Sequence, residues 1–195
     1  MERIVFATGN AGKMREIKEI LADLPYEVVS MKEAGISANI VEDGKTFEEN
    51  ALIKARTVAK ISGRIALADD SGLEVDAMDK APGIYSARFL GEDTSYEIKN
   101  QYILDQLKGV EGDDRSARFV CAIACVWPDG TERVCRATIE GVIAQKPAGE
   151  NGFGYDPIFF VPKYGKTTAE LSMQEKNEIS HRAKALRQMA ESLKP

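Results

Sequence analysis

The chain has 195 residues, of which 44% are hydrophobic, and its formal net charge is −5 at pH 7. This length and composition predict one domain, residues 1–195, with a sizeable buried core. The acidic balance argues against a broad basic surface for nucleic acid or anionic membranes, which leaves a local basic pocket as the alternative.

The chain begins with a strand-turn-helix unit. Apolar residues 4–7 predict a strand, and apolar residues at helical spacing over 12–22 predict a helix. The turn Thr8–Lys13 between them suits a bound phosphate, because free amides, a helix dipole and an ammonium group all favour an anion. It is not a Walker A loop, since its glycines are too close together and Met14 stands where that motif needs Ser or Thr.

A short strand and a capped helix come next. Residues 26–31 predict the strand, and a loop with Glu42 leads to Thr46–Glu49, which has the pattern of a capping box. The helix that it starts is predicted to end at Ser62, with Gly63 as its C-terminal stop.

Two adjacent carboxylates follow that helix. Asp69 and Asp70 come after the apolar run 65–68 and before Ser-Gly, which predicts that they lie where a buried strand ends at a turn. Open α/β sheets carry their chemistry at such ends, although consecutive aspartates are also common in solvated turns. Together with Glu42 they form the oxygen-only ligand set that Mg²⁺ prefers, and Lys54 is placed to approach these acids.

The second half of the chain predicts more strands. Alternating residues over 73–77 predict a half-buried strand, and a second capping box, Thr94–Glu97, predicts a helix that ends near Gly109. Residues 117–127 and 132–144, joined by Pro-Asp-Gly-Thr, predict a β-hairpin.

Two later segments have two readings each. Residues 149–157 combine glycines, aromatic residues and an aspartate, which fits either a tight hairpin corner or a base-stacking loop. Ser180 is placed to cap the last helix, so His181 and Arg182 fall in its first turn. There they either recognise a base edge or an anion, or belong to a capped surface helix.

Rare residue types and missing segments limit the function further. Three cysteines in strand-like sequence fit buried thiols better than a disulfide framework. His181 is the only histidine, which excludes a multi-histidine zinc site, so any metal must be held by carboxylates. No signal-peptide pattern and no apolar run of spanning length occur, which predicts a soluble, cytoplasmic protein.

Six blocks occur in order along the whole chain. They are Thr8–Lys13, Thr46–Ala51 with Lys54, Asp69–Leu73, Pro82–Arg88, Gly152–Pro157 and Ser180–Arg182. In this combination the chain resembles the inosine triphosphate pyrophosphatase family. Those enzymes hydrolyse non-standard purine nucleoside triphosphates (ITP, dITP and XTP) to the monophosphate and pyrophosphate.

This resemblance implies a fold, a cofactor and an assembly. The fold is an α/β domain with an elongated mixed β-sheet flanked by helices, in two lobes with a central cleft. The implied cofactor is Mg²⁺ and the implied assembly is a homodimer. The implied partner is a purine nucleoside triphosphate, with no nucleic acid and no membrane.

The resemblance also implies residue roles. The triphosphate is held by Thr8, Gly9, Asn10, Ala11, Gly12 and Lys13. Other substrate contacts come from Ser71, Phe153, Gly154, Tyr155, Asp156, Lys176, His181 and Arg182, with Phe153 to Asp156 lining the base pocket and His181 and Arg182 beside the base. Glu42 and Asp70 bind the metal, Asp70 is also the proton acceptor, Asp69 and Lys54 support that site, and Lys13 and Lys54 neutralise developing charge.

The residues themselves leave three points open. The roles of Asp69 and Asp70 as base are interchangeable at this level. A nucleotide-binding regulator without turnover is a second class of function, and a phosphotransferase, disfavoured by the missing Walker Ser or Thr, is a third. Release of inorganic pyrophosphate distinguishes the three.

Overall fold

The computed structural model describes residues 2–194, which form five α-helices and seven β-strands. The helices are α1 (Ala11–Ile20), α2 (Phe47–Ser62), α3 (Tyr96–Gln106), α4 (Met173–Ile179) and α5 (His181–Leu193). The strands are β1 (Glu2–Phe6), β2 (Tyr26–Ser30), β3 (Ile65–Val75), β4 (Ser116–Val126), β5 (Glu132–Ile143), β6 (Phe159–Val161) and β7 (Lys166–Thr167). Among these helices, none has the length and apolar character needed to cross a membrane.

The strands form one mixed sheet in the order β2-β1-β3-β4-β5-β6-β7. β1 pairs in parallel with β2 and β3, whereas β6 pairs antiparallel with β5 and β7. Five residues join the neighbouring strands β4 and β5, which is too short for a parallel crossover. The predicted α/β class, mixed sheet and hairpin are confirmed.

The chain divides into two compact units. Unit 1 contains the residues up to Asp70, Cys121–Ala137 and the residues from His181 onward. Unit 2 contains Ser71–Val120 and Thr138–Ser180. That the chain acts as one domain stays a prediction.

Unit 1 has a core on one face of its strands. Met14 and Ile17 of α1 are buried there with side chains of α5 that recur at helical spacing. On β3 the alternate residues Ile65 and Leu67 belong to this core, as the period of two in a strand requires. Its other buried members are Ile4, Phe6, Leu21, Cys121, Ile123, Cys125, Ala185, Leu186, Met189 and Leu193.

Unit 2 has a core of its own. The rings of Phe119 on β4 and Phe159 on β6 pack with their centroids 4.4 Å apart. The other buried members are Leu73, Val75, Ile103, Leu104, Leu107, Ala117, Ile139, Ile143, Tyr155, Ile158 and Val161.

Helix α2 forms where the sequence predicts it. Thr46 caps it by accepting the N–H of Glu49 at 3.1 Å, and Gly63 ends it in the left-handed conformation with φ of 62°. The capping box is only half formed, because the Glu49 carboxylate accepts the N–H of Lys45, at 2.6 Å, instead of that of Thr46.

The predicted turn at Asp69 and Asp70 is wrong. β3 is a continuous strand that contains both residues. The pairing of β1 with β3 ends at Phe6 opposite Leu67, so the aspartates lie just beyond the carboxyl end of β1, not at the end of their own strand. The strand continues through them because both side chains are buried and paired with cations, as described below.

The start of α3 differs in detail from the prediction. Ser95, not Thr94, is its N-cap and accepts the N–H of Ile98 at 3.3 Å. The Thr94 hydroxyl donates instead to the carbonyl of Leu90 at 2.6 Å, so the predicted capping box at Thr94–Glu97 is wrong. Helix α4 and strands β6 and β7 were not predicted because each is too short to establish a period.

Candidate active site

The loop between β1 and α1 exposes the first turn of a helix. Asn10 caps α1 by accepting the N–H of Lys13 at 3.0 Å, and its own N–H donates to Thr8 Oγ1 at 3.2 Å. Gly9 and Ala11 are exposed, and the space around Gly9 is open. Exposed amides at the start of a helix attract anions. This geometry favours a phosphate site at Thr8–Lys13, which stays a prediction.

Asp69 and Asp70 point in opposite directions. They are neighbours in β3, and successive side chains of a strand lie on opposite faces. Asp69 shares the face of Leu67 and its core, on which α1 and α5 pack. Asp70 shares the other face, where it meets α2 through Lys54. The two carboxylates therefore have different surroundings.

Asp69 is buried between cations. It is 1% exposed, and its Oδ2 lies 2.9 Å from Lys13 Nζ and 3.5 Å from Arg182 Nε. Burial opposes ionisation, but the charges of Lys13, Arg182 and Lys54 outweigh it and hold the pKa of Asp69 well below its ordinary value. Asp69 is therefore ionised near neutral pH and is a poor proton acceptor.

A second acid fixes Arg182. Its Nη1 lies 2.5 Å from Glu16 Oε2, and both side chains are buried, as charges in a core require when they are paired. Burial opposes the charge, but Asp69 and Glu16 together raise the pKa of Arg182 above its ordinary value. The sequence analysis missed Glu16; its signal was an acid placed directly beside the apolar stripe of Met14 and Ile17 on α1.

Asp70 and Glu42 share one ammonium group. Lys54 Nζ lies 2.7 Å from Glu42 Oε1 and 3.5 Å from Asp70 Oδ1. Burial, together with the charges of Glu42 and Asp69, raises the pKa of Asp70 to about 6 despite the nearby Lys54. Burial opposes the charge of Lys54, but the three acids raise its pKa above the ordinary value.

The surroundings of Asp70 fit a divalent cation. Its Oδ2 is buried and accepts no hydrogen bond from the part of the chain that the structure describes. Over residues 2–194 no three His, Cys, Asp or Glu side chains are arranged to hold a metal. Mg²⁺ commonly binds through one or two carboxylates and takes its other oxygens from water and substrate phosphates. Glu42 and Asp70 provide such a pair.

The loop that carries Glu42 is fixed to α2. Asn50 is 1% exposed, and its Oδ1 accepts the N–H of Gly44 at 2.9 Å. A Cβ at Gly44 would lie only 2.6 Å from that oxygen, so glycine is required for this approach. The same helix carries Lys54, so α2 positions both an acid and its cation.

Unit 2 contains most of the predicted base-binding residues. The carboxylate of Asp156, which is 3% exposed, accepts bonds from Lys176 Nζ at 2.8 Å and from the N–H of Phe153 at 2.9 Å. Lys176 Nζ lies 4.6 Å from the centroid of the Phe153 ring, in cation–π geometry. The other carboxylate oxygen accepts the hydroxyl of Thr168 at 2.7 Å, a residue that the sequence analysis did not single out.

Tyr155 points into the core of unit 2. It is 4% exposed, its hydroxyl donates to the carbonyl of Ser86 at 2.6 Å, and its ring packs edge-on against Tyr96. Gly154 takes a left-handed φ of 67°, and its carbonyl accepts a bond from Asn100 at 3.2 Å. These contacts fix the loop between Phe153 and Asp156.

The structure brings nine of the eighteen predicted site residues into three groups. Ser71 lies in β3 directly after Asp70 and is partly exposed, and His181 is buried at the start of α5. The groups are Lys13 with Asp69 and Arg182, Glu42 with Lys54 and Asp70, and, in unit 2, Phe153 with Asp156 and Lys176.

Comparison with known proteins gives the family. The sequence profile of the Ham1 family matches residues 4–192. The chain belongs to the Ham1 family. This Ham1 chain is 49% identical over 196 residues to the dITP/XTP pyrophosphatase of Shigella flexneri, with 100% of this chain and 99% of that protein covered. It is 47% identical over 193 residues to the dITP/XTP pyrophosphatase of Bacillus subtilis (strain 168), with 99% and 98% covered.

Solved structures agree with the Ham1 assignment. A HAM1 protein from Coxiella burnetii superimposes with a TM-score of 0.90 at 45% identity, covering 99% of this chain and 98% of that one. The Ham1 protein of Staphylococcus aureus superimposes with a TM-score of 0.88 at 44% identity, covering 98% of each chain. The family resemblance and the fold class stated from the sequence are both confirmed.

Proposed function

We propose that this Ham1 chain is a Mg²⁺-dependent nucleoside triphosphate pyrophosphatase. It hydrolyses ITP, dITP and XTP to the monophosphate and pyrophosphate and so removes them from the nucleotide pool. Full-length relatives named dITP/XTP pyrophosphatase support this reaction. The observation that carries it is the convergence of Lys54 on Asp70 and Glu42, beside an Asp69 that is held by Lys13.

The phosphates bind at the first turn of α1. The N–H groups of Gly9, Ala11 and Gly12 donate to phosphate oxygens, because those of Asn10 and Lys13 already donate within the loop, and Ser71 adds a hydroxyl contact. Lys13 and Lys54 neutralise charge as it develops on the phosphoryl oxygens and the leaving group. Asp69 positions Lys13 for this role, because the two form an ion pair of 2.9 Å.

Asp70 activates the water. In the cation-free protein burial raises its pKa to about 6, so this carboxylate is more basic than an ordinary aspartate. We assign it to take a proton as the water oxygen attacks the α-phosphorus. The bond from that phosphorus to the α,β-bridging oxygen breaks as the new bond forms, and this oxygen leaves as a terminal oxygen of pyrophosphate. Asp69 is excluded from this role because its cationic partners stabilise its charged form.

Glu42 and Asp70 would hold the cation, and the two oxygens of Asp70 would allow one carboxylate to act both as ligand and as proton acceptor. When bound, Mg²⁺ neutralises phosphate charge and polarises phosphoryl oxygens. Lys54 balances the two acids before the cation enters, since it lies within 3.5 Å of both.

The base is recognised by its 6-oxo group. Phe153 offers an aromatic face for stacking, and the Lys176 ammonium donates a hydrogen bond to O6. Adenine has an amino group at this position, and an amino group cannot accept that bond. Gly154, Tyr155 and Asp156 shape this pocket. As the family resemblance implies, His181 and Arg182 also contact the substrate, and Glu16 anchors the guanidinium of Arg182.

The proposal also covers the oligomeric state, the location and the partner of the protein. We propose a homodimer in the cytoplasm, as the family resemblance implies. The net charge of −5 supports a small nucleotide partner over nucleic acid or a membrane surface.

Product analysis tests this function. Purified protein is incubated with ITP, XTP, GTP or ATP, each with Mg²⁺ and with EDTA. We expect pyrophosphate and monophosphate from ITP and XTP, and none with EDTA. ATP should give little because it lacks O6, and GTP should give little only through rejection at the 2-position, since it carries O6 as well. Tight nucleotide binding without product would contradict the proposal and favour a regulator, and phosphate on an acceptor would favour a phosphotransferase.

A further inference from the structure

We propose that Thr168 is a positioning residue that controls base selectivity by holding Asp156 and, through it, Lys176. The proposal rests on the function proposed above and deepens it. The Thr168 hydroxyl donates to Asp156 alone in the described structure, at 2.7 Å to its carboxylate and at 3.2 Å to its backbone carbonyl.

Both oxygens of the Asp156 carboxylate accept hydrogen bonds from the protein. One oxygen accepts from Lys176 and from the N–H of Phe153, and the other accepts the Thr168 hydroxyl at 2.7 Å. Because Asp156 is 3% exposed, water does not substitute freely for a lost donor. Asp156 therefore holds Lys176 through one oxygen, and Thr168 holds Asp156 through the other.

The backbone at Gly152 limits the movement of the Asp156 carboxylate on one side. Gly152 has a φ of 74°, and a Cβ there would lie 2.1 Å from Asp156 Oδ2 and 3.3 Å from Lys176 Nζ. The backbone thus closes one side of the carboxylate, and Thr168 holds the other.

Thr168 is itself rigidly placed. It is 3% exposed and begins a 3₁₀ turn that Thr167 and Glu170 cap reciprocally. The hydroxyl is therefore presented to Asp156 by a turn whose own amide groups are satisfied, and side-chain rotation is limited by burial.

Thr168 affects recognition of the base through Lys176. Its ammonium is bound to Asp156 and lies 4.6 Å above the Phe153 ring, so ring and ammonium form one recognition surface. If the Thr168 hydroxyl is removed, Asp156 shifts toward another donor and the ammonium moves with it. The loss falls on 6-oxo purines, because only these use the ammonium as a donor to O6.

The test compares two adjacent buried threonines. Thr168→Val removes the hydroxyl and keeps the shape, Thr168→Ser keeps the hydroxyl, and Thr167→Val is the matched control. Thr167 is 1% exposed and its hydroxyl also donates at 2.7 Å, but to the backbone carbonyl of Ala148. The measurement is kcat/KM for ITP and for ATP in each protein, with folding checked by circular dichroism.

We expect the ITP-to-ATP ratio to fall roughly tenfold or more in Thr168→Val, as for loss of one hydrogen bond to a charged group. Thr168→Ser keeps the ratio of the wild type. Thr167→Val also removes part of the cap of the turn that presents Thr168, so we expect a loss of thermal stability and a smaller fall in the ratio than in Thr168→Val. An equal fall in both variants assigns the effect to the turn and overturns the role of the Thr168 hydroxyl.

The outcomes separate this proposal from the reaction itself. A wild-type protein that releases no pyrophosphate from ITP overturns the proposed function. An active wild type with an unchanged ratio in folded Thr168→Val overturns the role of Thr168. If Thr168→Val does not fold, Thr168→Ala removes the hydroxyl without the added methyl group. Loss of fold in both, with Thr167→Val folded, assigns the hydroxyl a structural role and also overturns the proposal.

Discussion

Replacing Asp70 by Asn should stabilise the cation-free protein at neutral pH. The carboxylate is buried, with 13% of its side chain exposed, and one of its oxygens has no hydrogen-bond donor among the described residues. Asn has nearly the same shape but carries no charge. The substitution therefore removes a buried charge that folding must desolvate.

The pKa shift gives the magnitude. Burial raises the pKa of Asp70 from 3.8 to about 6, which corresponds to about 3 kcal/mol of unfolding free energy. This pKa already includes the attraction of Lys54, so only incomplete bonding of the new amide reduces the net gain at any single pH. The change of the gain with pH is free of this correction.

The sign follows from proton binding. Folded Asp70 keeps its proton to a higher pH than unfolded Asp70, so protonation favours the folded state. This contribution is complete below about pH 4 and is lost as the pH rises through about 6. The advantage of the Asn variant should therefore grow across this interval and level off above it.

Urea unfolding in EDTA at several pH values measures this difference, with circular dichroism as the readout. Adding Mg²⁺ at pH 7 should then stabilise the wild type more than the variant, because only the wild type keeps both proposed ligands. A difference in unfolding free energy that does not change between pH 4 and pH 7 would refute the argument from burial.

Two further substitutions test the surroundings of the site. Asp69→Asn should destabilise the protein by about 3–5 kcal/mol, because it leaves buried cations without their shared carboxylate; urea unfolding measures this, and a gain like that of Asp70→Asn would contradict it. Gly44→Ala should displace the loop that carries Glu42 and raise the Mg²⁺ concentration for half-maximal activity several-fold, with recovery at saturating Mg²⁺. Thr57→Ala is the control on the same helix, since its hydroxyl contacts only the carbonyl one turn earlier; equal effects of the two variants would contradict this reading.

Local signals predicted much of the fold. The β4–β5 hairpin and the ends of α2 follow from a turn sequence, the Thr46 cap and Gly63, each of which acts within a few residues. The start of α3 was misplaced because Thr94 and Ser95 are both good caps, and only the tertiary course of the chain selects Ser95. Strands β6 and β7 span only three and two residues, too few to show a period.

The sequence predicted which residues belong to the candidate site better than it predicted the contacts between them. Glu42, Lys54 and Asp70 could be grouped by charge and position, and the structure brings them together. Glu16 and Thr168 could not, because each acts by contacting a charged residue distant in the sequence. No periodicity or short motif reports such a pairing.

The continuity of β3 explains why two adjacent aspartates differ. A turn would have exposed both carboxylates and left their roles exchangeable, whereas a strand sends them to opposite faces. Asp69 then contacts Lys13 and Arg182, whose charges keep it ionised. Asp70 shares Lys54 with a second acid, Glu42, and burial together with that acid raises its pKa. The same Asp→Asn change should therefore have opposite effects on stability at neighbouring positions. Binding a cation and taking up a proton both require a carboxylate whose charge is unfavourable in the folded, cation-free protein. Strand β3 places that carboxylate, Asp70, next to Asp69, whose charge stabilises the fold.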